Sequence, residues 1–367
     1  MTQTLLVNQT DFSDVAIVNI DDAPLEAGHI RVAIGPFALT ANNVTYMVTG
    51  HQIGYWHYFD PKADGIEMDG PDGTSMGRMP VWGYAVVTES RCEGIEAGRK
   101  IYGFWPVADS FDLKPVGVNR TGFMDGRDHR ISLHGIYNRY SFVDADPSYA
   151  QHSDLQPVLR PLFTTSFLID DFLDDEGFFG ADQVLILSAS SKTALGTAFC
   201  LKRRGGVKVT GLTSAGNTEF VKGTGFYDTV ASYDDLALLD KKVKTVIVDM
   251  SGNADVIADL QDHFTDSLLY ICRVGLSHWT ARTGKTGSAQ KTRSEFFFAP
   301  DRASLRIKDW GGAKFAQKLG VNWGSFLDAA KDWLSIEHHQ GMEAILPIYK
   351  DILQGSARPD KGYLFKI

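Results

Sequence analysis

The sequence predicts an α/β protein in two parts, a β-rich first lobe followed by a doubly wound parallel-sheet domain. In the first half, apolar and polar residues alternate between Gly and Pro residues, which is typical of half-buried strands. Beyond about residue 155, short runs rich in Val and Ile are each followed by a longer helical pattern, which is typical of a parallel sheet covered by helices. The length of 367 residues agrees with two or three domains.

Composition and charge exclude several classes of protein. The chain is 44% hydrophobic and 22% charged, with a formal net charge of −9. These values exclude a disordered or collagen-like chain, and the acidic balance argues against nucleic acid as a partner. No stretch approaches the roughly 20 apolar residues that cross a bilayer, so we expect no membrane partner. The first residues lack a basic and apolar leader, and Cys92, Cys200 and Cys272 form no C-x-x-C pair, so we expect a cytoplasmic protein with reduced thiols.

Strands are expected in the first lobe where the alternation is clearest. HIRVAIGPFAL (His29 to Leu39) and VWGYAVVTES (Val81 to Ser90) are two such runs, and KIYGFWPV is a third. The run from Asp60 to Pro80 is rich in Gly, Asp, Pro and Met, which predicts an exposed loop that covers a site or contacts a partner.

The second part begins with a helical pattern, LRPLFTTSFLIDDFLDD (Leu159 to Asp175), and continues as strand–helix pairs. The predicted strands are QVLILSA, VKVTGLTS, DTVASY, TVIVDM and SLLYICRVG. Strands joined by helices predict parallel pairing. The tail, MEAILPIYKDILQGSARPDKGYLFKI, predicts a helix, a Gly/Pro turn and a final strand.

The segment from Asp182 to Gly205, DQVLILSASSKTALGTAFCLKRRG, predicts a phosphate-binding turn. A buried strand leads into a loop of small residues and then a helix, which directs backbone N–H groups and the positive helix end toward a phosphate. Only the third glycine of the dinucleotide pattern G-x-G-x-x-G is present, and a lysine adds a cation to the turn. The expected phosphate contacts are Ser190, Ser191, Lys192, Thr193 and Gly196. The alternative is an ordinary strand–turn–helix with a Ser N-cap.

The following strand favours NADPH over NADH. An NAD site carries Asp or Glu at the end of this strand to bind the ribose 2′-hydroxyl. Here the strand ends Gly-Leu-Thr-Ser-Ala-Gly-Asn without an acid, so Ser214 and Asn217 leave room for a 2′-phosphate, and Lys222 follows nearby. The alternative is that Ser214 and Asn217 only cap the next helix.

These motifs together resemble a known family. The β-rich lobe, the run ASSKTALG between a strand and a helix, and GLTSAGNTEFVKGTGFYDTVASYDDL are similar to the zinc-independent branch of the medium-chain dehydrogenase/reductase superfamily, which includes quinone oxidoreductases and 2-enoyl reductases. NNVTYMVTG, GYWHYF, LRPLFTTSFLIDDF, SASSKTALG and VGLSHW resemble a subfamily of it that has no settled function. The resemblance covers nearly the whole chain.

The resemblance implies a GroES-like catalytic lobe over residues 1–155, to which residues 336–367 return, and a Rossmann domain over residues 156–335. It implies NADP(H) as the cofactor, an active site in the cleft between the two, and a homodimer. The Gly-His-Glu of zinc-dependent members reads Gly83-Tyr84-Ala85 here, and ALTANNVTYM contains no Cys. We therefore expect no metal site.

Without a metal, the reaction needs a proton donor or hydrogen bonds to the developing oxyanion. Enoyl reductases of the superfamily use a Tyr soon after a Gly in the first lobe, and GHQIGYWHY (Gly50 to Tyr58) occupies the comparable stretch. Tyr55 is the first expectation, and Tyr46 and His57 follow it. Asn43 is expected to orient the substrate or the nicotinamide. The alternative is that these rings only wall the cleft and that Asn43 forms a turn.

Strand ends in the second domain supply further expectations, because ligands of parallel sheets gather at the carboxyl ends of the strands. By the resemblance, Met250, Ser251 and Gly275 flank the nicotinamide ribose and carboxamide, and Tyr233 belongs to the cofactor site. His278 in VGLSHW is expected to serve as an acid, or else to form part of the wall.

The loop ARTGKTGSAQKTRS has four basic residues and no acid. It predicts a lid that favours an anionic substrate, and the alternative is a solvated charged loop.

Three functions are compatible with these residues. The first is a zinc-free, NADPH-dependent reductase that transfers hydride to an activated C=C or carbonyl of a small aromatic or anionic substrate. The second is a lyase or isomerase that acts on C–C bonds with NADP tightly bound or absent, which the two missing glycines and Lys192 keep open. The third is an NADPH-binding sensor without turnover.

Overall fold

The computed structural model describes residues 1–71, 73–146, 148–275 and 292–367. The chain forms two compact units. Unit 1 comprises Met1–Val158, Ile336–Ala357 and Lys361–Ile367, and unit 2 comprises Leu159–Ser335 and Arg358–Asp360. Unit 1 is rich in β-strands and unit 2 is a parallel sheet with helices, so the predicted fold class is confirmed.

Unit 1 is built largely from antiparallel strand pairs. Its strands are β1 (Thr2–Asn8), β2 (Val15–Ile20), β3 (Ile30–Leu39), β4 (Met76–Gly77), β5 (Pro80–Ser90), β6 (Lys100–Pro106), β7 (Ser110–Leu113), β8 (Pro115–Asn119), β9 (Gly122–Asp125), β10 (Arg139–Phe142), β17 (Ser335–Gln340) and β18 (Lys361–Lys366). The larger sheet has the order β17-β18-β3-β5-β6-β10-β9-β8, with β7 paired to β3, and the smaller sheet has the order β2-β1-β4. The two clearest predicted runs are β3 and β5, which pair with each other.

The helices of unit 1 are short. They are α1 (Asn42–Val48), α2 (Gly50–Ile53), α3 (Tyr55–Tyr58), α4 (Asp128–Ile131), α5 (Ser148–Gln151) and α12 (Ile345–Leu353).

The run from Asp60 to Pro80, predicted as an exposed loop, is exposed only in its first part. Its last five residues, 76–80, are buried. The reason is that Met76 and Gly77 form β4 and pair with β1, while the Met79 side chain is fully buried in the core.

Unit 2 contains a six-stranded parallel sheet. Its strands are β11 (Gln183–Leu187), β12 (Lys208–Thr213), β13 (Thr229–Ser232), β14 (Thr245–Asp249), β15 (Leu268–Arg273) and β16 (Ser294–Phe296). Their order in the sheet is β13-β12-β11-β14-β15-β16. Counted from the first strand of the unit, this is the order 3-2-1-4-5-6 of dinucleotide-binding sheets.

Helices cover this sheet. They are α6 (Leu155–Asp175), α7 (Lys192–Arg204), α8 (Thr218–Gly223), α9 (Ala254–Phe264), α10 (Ala299–Trp310) and α11 (Gly312–Ala330). Every residue of β11 and β14 is buried, which explains why these strands are continuous apolar runs rather than alternating ones. Leu260 and Phe264 of α9 pack against Leu185 and Ile247 in this core.

Among the helices of the described ranges, none combines the length and the apolar composition needed to cross a bilayer.

Candidate functional site

The strand order of unit 2 creates a crevice at one edge of the sheet. β11 and β14 are neighbours, but the chain continues from β11 to β12 on one side and from β14 to β15 on the other. The loops that follow the two strands, residues 188–191 and 250–253, therefore separate at this edge. Ligands of doubly wound sheets bind at such a switch point.

Two tyrosines shape the turn after β11. Ser188 has a φ of 49°, in the left-handed region that residues other than glycine rarely adopt. Its amide donates to Tyr233 Oη at 2.8 Å, and Tyr227 Oη donates to the carbonyl of Ala189 at 2.9 Å. Tyr233, an expected cofactor residue, thus lies at this turn and holds its backbone.

The start of α7 presents unpaired amides. Ser191 is its N-cap and accepts a hydrogen bond from the Ala194 amide at 3.3 Å. The amides of Ser190, Lys192 and Thr193 have no hydrogen-bond partner within the described part of the chain. Such amides, at the positive end of a helix dipole, form an anion site of the kind that binds a nucleotide pyrophosphate.

Glycines bring the surrounding elements close to this turn. A Cβ on Gly196 would lie 2.6 Å from Ser166 Oγ, so α7 packs on α6 only because residue 196 has no side chain. The same Ser166 hydroxyl donates to the Thr193 carbonyl at 2.8 Å and fixes the first turn of α7. A Cβ on Gly211 in β12 would lie 2.9 Å from Ala189 Cβ. These two glycines therefore allow α6 and β12 to pack closely against the start of α7 and the turn, which fixes where the turn lies.

Lys192, expected at the phosphate, is held beside the turn. Its Nζ donates to the carbonyl of Pro359 at 3.3 Å. Burial lowers the pKa of this ammonium to about 8, although the charge of Asp360 opposes the shift. An ammonium has three N–H donors, and Pro359 uses one of them.

The end of β12 is linked to the same turn. Ser190 Oγ accepts hydrogen bonds from Asn217 Nδ2 at 3.2 Å and from Thr213 Oγ1 at 3.4 Å. Ser214 follows β12 and is exposed. The structure therefore brings these predicted residues together, whereas Lys222 is exposed and forms an ion pair with Glu219 at 2.9 Å.

Asp249, which the sequence analysis missed, organises the loop after β14. The residue is 2% exposed, and its Oδ1 accepts from the Ser251 amide, the Ser251 hydroxyl and the Gly252 amide at 2.8, 2.6 and 3.0 Å. Burial raises the pKa of this carboxyl, and the hydrogen bonds from Ser251 and Gly252 oppose the shift. The available signal was an acid that closes an apolar strand, TVIVD.

The predicted residues Met250, Ser251 and Gly275 lie together around this loop. A Cβ on Gly275 would lie 2.5 Å from the Met250 carbonyl oxygen, so glycine is required there. The Gly275 amide donates to the Asp249 carbonyl at 3.2 Å. The Ser251 hydroxyl donates its hydrogen bond to Asp249, so this serine stabilises the loop.

The first-lobe candidates lie in a cluster of rings in unit 1. Tyr55 Oη and Tyr137 Oη are 2.7 Å apart, and Tyr46 Oη accepts from Trp82 Nε1 at 2.9 Å. Burial raises the pKa of Tyr55 and Tyr137, and raises that of Tyr46 to about 12. All three hydroxyls are protonated at neutral pH, as a proton donor must be. Tyr137 was missed because nothing in the local sequence distinguishes it.

The other two first-lobe candidates lie outside this hydroxyl cluster. Asn43 is 4% exposed, its Nδ2 donates to the Pro80 carbonyl at 2.7 Å, and its Oδ1 accepts from the Thr40 amide at 2.7 Å. Both of its polar groups thus connect the start of α1 to β5. His57 is exposed.

Two predictions fall on residues that are not described. His278 and most of the basic loop that follows it lie within residues 276–291, outside the described residues. Within the described ranges there is no group of three or more His, Cys, Asp or Glu residues that could hold a metal ion.

Comparison with known proteins gives a family and a fold. The model of a family described as "Protein of unknown function (DUF2855)" matches residues 37–358. No curated protein matches the sequence.

Solved structures share the fold over the whole chain. CurA from Vibrio vulnificus in complex with NADPH is 13% identical, with a TM-score of 0.63 over 99% of this chain and 98% of that one. Escherichia coli quinone oxidoreductase complexed with NADPH is 12% identical, with a TM-score of 0.57 over 100% of both chains. The ER cyclopropanase CurF of the curacin A pathway is 12% identical, with a TM-score of 0.57 over 100% of this chain and 99% of that one. These likenesses confirm the predicted fold.

Proposed function

We propose that this chain, which belongs to the DUF2855 family of proteins of unknown function, is an NADPH-dependent, zinc-independent oxidoreductase that reduces an activated C=C or a carbonyl of a small molecule. The observation that carries the proposal is the turn after β11, where three amides at the start of α7 have no partner in the described ranges and two glycines, Gly196 and Gly211, let neighbouring elements pack closely. Structures of the same fold that hold NADPH give further support.

In this proposal, different residues at the switch point bind different parts of the cofactor. The amides of residues 190, 192 and 193 and the Lys192 ammonium bind the pyrophosphate. Ser214 and Asn217 bind the 2′-phosphate, and the loop at 250–253 with Gly275 lies against the nicotinamide end.

The chemistry in this proposal is shared between the cofactor and a tyrosine. NADPH supplies the hydride from C4 of its nicotinamide. Tyr55 donates the proton, because its hydroxyl is protonated and is oriented by Tyr137. Tyr46 is the next candidate for this role.

The test is NADPH and NADH binding to the purified chain, followed by NADPH consumption with a panel of enones, quinones and aldehydes. We expect preferential NADPH binding and consumption with at least one acceptor, unchanged by a metal chelator. No binding of either nucleotide would contradict the proposal. NADPH binding without NADPH consumption would favour the two alternatives, a sensor without turnover or a lyase or isomerase.

Ser214→Asp is expected to move the preference from NADPH toward NADH. A carboxylate at the end of β12 repels the 2′-phosphate and accepts a hydrogen bond from the ribose 2′-hydroxyl. We expect roughly a tenfold or greater loss of NADPH affinity and a gain for NADH. Fluorescence titration measures both. Ser267→Asp introduces the same charge at the opposite edge of the sheet, before β15, and should leave both affinities unchanged.

NADPH affinity is expected to fall as the pH rises through about 8. Lys192 is fully charged only below its pKa, which is about 8 in the folded chain, so its attraction for pyrophosphate is complete below that pH and is lost above it. Loss of a charged hydrogen bond corresponds to roughly a tenfold change. Titrations between pH 6.5 and 9.5 should show this slope in the wild type and a flat profile in Lys192→Gln. Equal slopes in both proteins would remove Lys192 from the cofactor site.

A further inference from the structure

One oxygen of the buried Asp249 carboxylate has no hydrogen-bond partner in the described ranges. Asp249 ends β14 at the switch point and is 2% exposed. The hydrogen bonds that its side chain accepts from Ser251 and Gly252 all go to Oδ1, and Oδ2 accepts none. Burial raises the pKa of this carboxyl, which reflects the cost of keeping its charge away from water. A ligand that donates to Oδ2 would lower that cost.

A second unpaired group lies at the end of the neighbouring strand. The hydroxyl oxygen of Ser188, directly after β11, is buried and has no hydrogen-bond partner in the same ranges. Ile186 of β11 pairs with Val248 of β14, so Ser188 and Asp249 both lie just beyond this pair. Tyr233 is close to both, because its Oη accepts from the Ser188 amide, and burial together with the charge of Asp249 raises its pKa. The two unpaired oxygens therefore lie at the same edge of the sheet.

The two oxygens determine which chemical class of group fits between them. An ionised carboxylate oxygen only accepts hydrogen bonds, whereas a serine hydroxyl both donates and accepts. A phosphate does not fit at this position, because the carboxylate would repel it. A sugar diol fits, because one of its hydroxyls can donate to Asp249 Oδ2 while the other forms a hydrogen bond with Ser188 Oγ.

NADPH has such a diol next to its pyrophosphate. The proposed pyrophosphate site is the start of α7, a few residues beyond Ser188. On the nicotinamide side, the ribose is bonded directly to the pyrophosphate, whereas the carboxamide lies one ring further away. The adenosine side runs toward the end of β12, where Ser214 lies. The group that reaches both Ser188 and Asp249 is therefore the nicotinamide ribose.

We propose that Asp249 Oδ2 and Ser188 Oγ bind the two hydroxyls of the nicotinamide ribose. This inference rests on the proposed function and assigns two side chains to the nicotinamide half of the cofactor. The two oxygens of Asp249 then have different tasks. Oδ1 holds the loop after β14, and Oδ2 holds the ribose, so the carboxylate fixes the position of the ribose relative to that loop.

Asp249→Asn tests the role of Oδ2 separately from that of Oδ1. The asparagine carbonyl oxygen can keep the hydrogen bonds of Oδ1, whereas an NH₂ group replaces Oδ2. The full chain is titrated by fluorescence with NADPH, with 2′-phospho-ADP-ribose, which lacks only the nicotinamide, and with adenosine 2′,5′-bisphosphate, which lacks the whole nicotinamide half. We expect the affinity for the first two ligands to fall roughly tenfold and that for the third to stay unchanged, because only the first two contain the ribose.

Two further variants accompany it. Ser188→Ala removes a neutral hydrogen bond, so it should weaken the same two ligands by about threefold. Asp262→Asn is the control, because it makes the same change of charge at an exposed position of α9. It should leave all three affinities unchanged.

The other outcomes would overturn the inference. Unchanged NADPH affinity in Asp249→Asn would show that solvent is the partner of Oδ2. A loss for NADPH alone would identify the carboxamide as the bound group, and an equal loss for all three ligands would show that the substitution disturbs the whole site. A wild-type chain that binds none of the three would refute the proposed function and this inference with it, whereas wild-type binding with an unchanged variant would refute the inference alone.

Discussion

Gly196→Val is expected to reduce NADPH affinity about 100-fold or more, because a displacement of about 1 Å in a binding group has effects of this size. A Cβ at residue 196 would lie 2.6 Å from Ser166 Oγ and 3.3 Å from Phe163 Cδ2. Ser166 would have to move, and its hydrogen bond to the Thr193 carbonyl would be lost. The first turn of α7, whose amides are proposed to bind the pyrophosphate, would move with it. The overpacking itself should lower the free energy of unfolding by about 1–3 kcal/mol.

Fluorescence titration and thermal unfolding measure the two effects. Gly324→Val in α11 is the control, since in the described ranges a Cβ on that glycine meets no atom from outside its own helix within 4 Å. Wild-type NADPH affinity in Gly196→Val would contradict the placement of the cofactor at this turn.

Asp125→Ala is expected to lower the free energy of unfolding by about 3–5 kcal/mol, because it leaves a buried charge unpaired. Asp125 and Arg130 are 3% and 0% exposed, and Arg130 Nη1 donates to Asp125 Oδ2 at 2.7 Å. Urea denaturation followed by circular dichroism measures the change. Asp112→Ala, which breaks the partly exposed pair with Arg31, should cost only about 0–1 kcal/mol. Similar losses of unfolding free energy in the two variants would show that burial of the Asp125–Arg130 pair does not increase its contribution to stability.

The same carboxylate predicts an acid limit of stability. Burial raises the pKa of Asp125, but the charges of Arg127 and Arg130 outweigh it, so the pKa is lower in the folded chain than in the unfolded one. Its contribution is therefore complete above the unfolded pKa, about 4, and is lost as the pH falls through the folded value.

Local patterns allowed most of the fold to be predicted from the sequence. Alternation identified β3 and β5, and the strand–turn–helix around Gly196 was visible because its parts are adjacent in the chain. Contacts between distant residues were not predictable in this way. Lys192 is a residue type that binds phosphate, so it could be predicted as a ligand. Its hydrogen bond to Pro359 could not, because the two residues are 167 positions apart in the sequence. Tyr55 and Tyr137 are 82 residues apart in the chain, and no periodic pattern in the sequence indicates that they pair.

The burial of residues 76–80 was missed for a related reason. The Gly, Asp and Pro residues before them are typical of a loop, and only the pairing of Met76 with the far β1 strand places this end in the core. Asp249 was overlooked because it is a single acid at the end of an apolar strand. No second residue at a characteristic spacing forms a recognisable motif with it.

The position of β18 determines the order in which the chain can fold on the ribosome. β18 lies inside the larger sheet of unit 1, between β17 and β3, and pairs with β3 through Tyr363 and Leu39. All six strands of unit 2 are translated between these two partners. The sheet of unit 2 can therefore close while the Phe37–Leu39 end of β3 still lacks its partner on one side, because β7 pairs only with Ile30–Ala33. An unpaired strand edge is the kind of surface that nascent chains use to aggregate and that chaperones protect. The nascent first unit must remain incomplete until the second has been made.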